Sequence, residues 1–172
     1  MKTAIPAPNA DIRTAQVWAV VLVGVAAASS FWTACTVPLP AVAVVAGRTL
    51  SARLALATTA AAWLANQLVG YLWLHYPTTP DSFLWGGLLG AGALLSLVCS
   101  WLLPRRTWHL PAALVGAFVV YEAWLWLFTF ALGGQETFAL AIVAGLAVAH
   151  LLWTLGLSGV HALWSGGRTA QS

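Results

Sequence analysis

Asn66, Gln67, Glu122 and His150 are the side chains most able to do chemistry here, because each lies midway along a long apolar run. Asn66 and Gln67 fall in the middle of Leu54–Tyr76. Glu122, preceded by Tyr121, is central in Leu110–Leu132, and His150 is central in Phe138–Trp164. Amide and ionisable groups at such depth are costly in lipid, so they mark functional positions unless they merely pair with one another. Three runs carrying them at nearly one level imply a shared polar site. Helical spacing extends it: Glu122 shares a face with Trp126 and Thr129, His150 with Thr154 and His161, and Asn66 with Thr59, Trp63 and Gly70. Polar and aromatic stripes of this kind suit the non-covalent recognition of a small molecule. Trp63, Trp124, Trp126 and Trp153 lie deep enough to enclose a flat ligand or simply to pack. The competing structural reading is a Glu122–His150 hydrogen bond stapling two helices, worth about 1 kcal/mol.

Other chemistries fail on spacing. Gly156–Gly159 reads GLSG with His161 just after it, a pattern found in intramembrane serine proteases. That mechanism needs the serine and histidine to face each other, normally from different helices, whereas Ser158 and His161 share one. Glu122 and His150 with Cys35 or Cys99 make only a minimal metal set, and neither cysteine has a CxxC spacing, so both read as small hydrophobes. His150 alone, without a CxxCH motif, is a poor haem anchor. Phosphate loops, nucleotide fingerprints and paired catalytic carboxylates are absent from the sequence. The expectation is a protein without enzymatic activity, cofactor or metal.

The elements that must position these residues follow from composition. Of 172 residues, 61% are hydrophobic and 6% charged, with mean hydropathy +0.87. Soluble domains carry about 25% charged residues, so the lipid bilayer is the expected solvent. Apolar stretches run from about Ala15 to Gly47, Leu54 to Tyr76, Phe83 to Leu103, Leu110 to Leu132 and Phe138 to Trp164. The first is too long for one helix, and Pro38 and Pro40 interrupt it within TACTVPLP. It divides into a helix to about Ala34, a bend at Cys35 to Pro40 and a short element over Val37–Gly47. That element spans only ~16 Å at 1.5 Å per residue, against ~30 Å of hydrocarbon. The bend must therefore dip into the membrane, where irregular backbone survives only when buried or lining a cavity.

Charge sets the orientation. Lys2, Arg13, Arg48, Arg53, Arg105, Arg106 and Arg168 fall on one side if the chain crosses six times, and the opposite loops carry Asp81 and Glu136. The sequence thus predicts an all-α polytopic integral membrane bundle of six transmembrane helices, the second short, with both termini cytoplasmic. A single transmembrane domain, 15–164, lies between tails at 1–14 and 165–172. The polar, proline-containing start is not a cleavable signal peptide. The bases sit at helix ends instead of forming a patch, which excludes a nucleic-acid partner. Six Arg against one Lys, with abundant Ala and Trp, suggests a GC-rich bacterial genome and hence the bacterial inner membrane. Small residues recur four apart at Gly86/Gly90, Ala112/Gly116 and Gly145/Ala149, read as close helix packing.

This layout resembles the substrate-binding membrane subunits (S components) of energy-coupling-factor vitamin transporters. The likeness is carried by the first helix with Ala15 and Ala19 four apart, the TVPLP turn, the short AVAVVAG element and the basic turn RTLSAR before a long third helix. It implies that Thr36 to Pro40 lie near an outer ligand pocket, and that Ala15 and Ala19 approach a coupling membrane subunit served by an ATPase. The expected function is capture and transport of a small organic, vitamin-like nutrient, with Asn66, Gln67, Tyr121, Glu122, Trp126, His150, Trp153 and Thr36 at the ligand. An accessory subunit of a larger membrane complex and a small metal-ion permease are the alternatives.

Overall fold

The computed structural model describes residues 8–32, 38–103 and 110–169. Their elements are helices α1 (Pro8–Trp32), α2 (Leu39–Thr49), α3 (Ala52–Leu72), α4 (Pro80–Leu102), α5 (Leu110–Leu132) and α6 (Leu140–Thr169), with a 3-10 turn at Gln135–Phe138 before α6. The protein is an all-α bundle. Four helices, α1, α4, α5 and α6, are long and apolar enough to cross a membrane, so this is a membrane protein. Helical geometry continues past the apolar spans into 8–14 and 165–169, which hydropathy assigns to the tails.

Local chemistry sets the boundaries. Pro40 stands in the first turn of α2, where a missing N–H costs nothing. The helix ends as Leu50 turns extended, with Arg48 against the negative end of its dipole. Thr79 caps α4 by accepting from Ser82 N at 3.3 Å, with Pro80 and Asp81 following in the first turn. Gly133 and Gly134 adopt φ +79° and +92°, left-handed values that stop α5 and that other residues resist.

The short α2 is the hub. Leu39 to Gly47 are all buried, and α2 touches every other helix. Around it α1 packs on α3, α3 on α4 and α4 on α5, while α6 closes the circle mainly through α2. Its Ala, Val and Gly side chains let five neighbours come close. Near its C-terminal end, Gly47 abuts Ser100 and Leu97 of α4, and Val44 packs with Ala113 and Ala117 of α5. Trp18 of α1 donates to Thr49 Oγ1 at 3.0 Å and meets the rings of His161 and Trp164 at 5.1 and 5.7 Å, which ties α6 to α1 there.

Glycines on α4 seat aromatic and amide side chains from its neighbours. Gly86 faces Gln67 and Gly90 faces the Trp63 indole, both from α3, while Gly92 faces Tyr121 of α5. Trp63 Nε1 donates to Gly86 O at 2.8 Å and Trp124 Nε1 to Leu88 O at 3.0 Å. Ser96 Oγ lies 3.0 Å from Gly92 O and 3.1 Å from Ala117 O, a shared hydrogen bond linking α4 to α5. Gly86/Gly90 is thus a packing face, as its four-residue spacing predicts.

Candidate functional site

Because α2 has only 11 residues, about 16 Å of helix, the bundle axis is left unfilled beyond its N-terminus. A cavity of about 750 Å³ occupies that volume. Pro38, Leu39 and Pro40 form its floor. Asn66 of α3 and Trp85 and Leu89 of α4 make one wall; Phe118, Tyr121, Glu122 and Leu125 of α5 make the next. Gly145, Leu146, Ala149, His150 and Trp153 of α6 make the third, and Tyr76, Thr137 and Phe138 border it from the connecting segments. The lining is mostly aromatic and aliphatic with a few polar points, the composition of a small-molecule site.

Asn66 is 3% exposed and already committed: its Nδ2 donates to Ser30 Oγ and its Oδ1 accepts from Gln67 Nε2, each at 3.0 Å. Gln67 therefore supports the site from behind, against Gly86, and is not part of the lining. His150, 4% exposed, lies 3.1 Å through Nε2 from Leu114 O. A carbonyl can only accept, so Nε2 carries the proton, and the ring stacks on Phe118 at 5.4 Å. His150 thus joins α6 to α5 through backbone, and the direct Glu122–His150 staple is not formed. Its Nδ1 is buried without a partner among the described residues. Tyr121, Glu122 and Trp153 line the cavity.

Trp126 does not line it. The indole is 48% exposed on the outer surface, edge-on to Phe130 at 4.8 Å. The inward stripe of α5 runs through Leu114, Tyr121, Leu125 and Thr129, and Glu122 stands one residue off it. Each residue turns the helix by about 100°, so a position four beyond an edge residue passes out of the bundle. Thr36 lies outside the described residues. Ala19, 8% exposed, is in the core of α1, and Ala15 borders a groove with Gln16, Thr49 and Arg53, at the opposite end of the bundle from the cavity.

Several lining residues escaped sequence reasoning. Gly145 and Ala149 read as a packing pair, yet a Cβ added at Gly145 would meet nothing within 4 Å; with Ala141 they form a small-residue strip that widens the cavity. Trp85, in the second turn of α4, lines the site as well. Tyr76 reaches it because His75 takes φ +54°, a left-handed turn that a histidine adopts at some cost. The chain then folds back, with Tyr76 N donating to Gly70 O at 3.0 Å and the Tyr76 ring over Gly70.

Among the described residues no group of three or more His, Cys, Asp and Glu is placed to hold a metal ion. Cys99 sits against Gly116, between α4 and α5, and is not in the lining; Cys35 lies outside the described residues. No protein-family model, curated protein or solved structure matches the chain.

Proposed function

We propose that this chain captures a small organic, vitamin-like nutrient and carries it across the bacterial inner membrane as the substrate-specific subunit of a transporter. The observation that carries this reading is the cavity over the short α2, buried from Leu39 to Gly47, where Asn66, Tyr121, Glu122, His150 and Trp153 converge from three helices. Its aromatic walls and isolated polar points favour binding over catalysis, so the solute leaves as it entered and the protein is not an enzyme.

Charge supports a multi-pass orientation. Arg13 near the start of α1, Arg48 at the end of α2 and Arg53 at the start of α3 gather at one end; Asp81 and Glu136 mark the other, where the cavity lies. The positive-inside rule makes the basic end cytoplasmic and the cavity external. In an energy-coupling-factor arrangement, a coupling membrane subunit with its ATPase would meet α1 near Ala15 and Ala19. The Pro-containing entry to a short second helix, beside the site, is one of the features that carry the resemblance to S components.

Native mass spectrometry of the protein, gently extracted from its host membrane, tests the reading. A small organic molecule released at one per chain is the expected result, lost in Glu122→Gln or His150→Ala while both variants still insert. Uptake unaltered in both variants would refute the site. A stoichiometric protein partner without any small molecule would instead make the chain an accessory subunit.

A further inference from the structure

The binding reading leaves the ligand's chemistry open, and the polar groups of the cavity narrow it. Asn66 is tied to Ser30 and Gln67, and the Thr137 hydroxyl donates to Gly134 O. Among the described residues, the lining groups that form no hydrogen bond are the Glu122 carboxylate, the Tyr121 hydroxyl, His150 Nδ1 and the indole N–H groups of Trp85 and Trp153. With Nε2 protonated against Leu114 O, a neutral His150 presents only a lone pair at Nδ1. An ionised carboxylate only accepts, and a phenol can do either. What the wall lacks is a positive charge, for no Lys or Arg belongs to it and its unengaged N–H donors are the neutral indoles.

The floor sharpens the point. A helix start ordinarily offers N–H groups and positive potential to an anion. Here Pro38 and Pro40 remove two of those donors, since proline has no N–H. The remaining dipole is worth about half a charge and fades within the first turn, against the full charge of a carboxylate. An anion would meet the Glu122 charge with only neutral donors to offset it. A cation would find Glu122 together with the rings of Phe118, Tyr121, Phe138 and Trp153, a ring type whose faces attract positive charge through the quadrupole.

We propose that the cavity takes a small organic cation bearing N–H groups, such as an amine, an amidine or a protonated amino-heterocycle. Its charge meets the Glu122 carboxylate and its body is enclosed by Phe118, Tyr121, Phe138 and Trp153. The proposal rests on the ligand-binding reading above and assigns that site its substrate class. Glu122 supplies discrimination: an unpaired charge held partly out of water is costly, and a cation offsets that cost where an isosteric alcohol cannot.

Three probes of one shape test it: 2-phenylethylamine, 2-phenylethanol and 3-phenylpropionate, each titrated against the full chain in detergent with thermal stabilisation as readout. The amine is expected to stabilise the protein, with at least tenfold weaker binding of the alcohol and the acid. Glu122→Gln is expected to weaken the amine about tenfold or more. Should that variant not fold, Gly145→Leu, which obstructs the cavity and leaves its charge alone, must weaken the amine as well. Equal or tighter binding of the alcohol or acid would overturn the cation assignment and leave the cavity reading standing. Undiminished amine binding in Glu122→Gln would overturn it too, by placing the cation elsewhere. Stabilisation by none of the three also overturns it, and release of a small molecule from the native protein then decides separately whether the cavity reading survives.

Discussion

Replacing Gly145 by leucine separates the stability of this bundle from its capacity to bind. Gly145 lies inside α6, lines the cavity, and has open space where a Cβ would go. Leucine is a far better helix former than glycine, by about 0.8 kcal/mol in a helix interior. The first carbon of the new side chain meets no neighbour within 4 Å and the rest extends toward the cavity, so the overpacking cost that usually opposes such a change is small. At ~2–4 °C per kcal/mol for a chain of this size, the midpoint of thermal unfolding should rise by about 2–3 °C. The same side chain occupies ligand volume, and ligand affinity should fall at least tenfold, equivalent to about 1.4 kcal/mol. Gly87→Leu on α4 is the matched control, since Gly87 is equally unobstructed but outside the lining; it should raise the midpoint without touching affinity. Both are read by tryptophan-monitored unfolding and ligand titration in detergent. A lower midpoint for Gly145→Leu, or unchanged ligand affinity, would refute the argument that this glycine borders usable space.

Gly90→Ala should do the opposite to stability. The new methyl would lie 2.7–3.0 Å from three Trp63 ring atoms, and the ring is held by its hydrogen bond to Gly86 O; an overpacking cost of about 1–3 kcal/mol outweighs the helix-propensity gain, seen as a lower unfolding midpoint. Trp153→Leu should weaken ligand binding severalfold in the same titration, whereas Trp126→Leu, on the outer surface, should leave it unchanged. Trp18→Phe deletes the donor to Thr49 and should cost about 1 kcal/mol, measured by unfolding in detergent.

The helices were legible because lipid imposes a length and prolines impose breaks. Pro38 and Pro40 split the first apolar run, and α2 begins at Leu39, two residues later than the Val37 start that hydropathy suggests. The common depth of Asn66, Glu122 and His150 was legible too, and all three line one cavity. What periodicity could not supply is the order of helices around α2. It assigns residues to faces without naming what each face meets, so Glu122 and Trp126 look alike in sequence yet end on opposite sides of the wall's edge. For the same reason Gly86/Gly90 and Gly145/Ala149 share a spacing while one pair is packed and the other borders empty volume.

The position of α2 also bears on how the molecule is made. It is among the first helices to leave the ribosome and among the last to be fully covered, because α5 and α6 are synthesised long after it. Eleven residues are too few to rest across lipid alone, so α2 depends on the helices around it for cover. The nascent bundle then holds an open seam on α2 until α6 arrives. Assembly is consequently gated by the C-terminal helix, and a chain that stops after α5 should be recognised by quality-control proteases as unfinished.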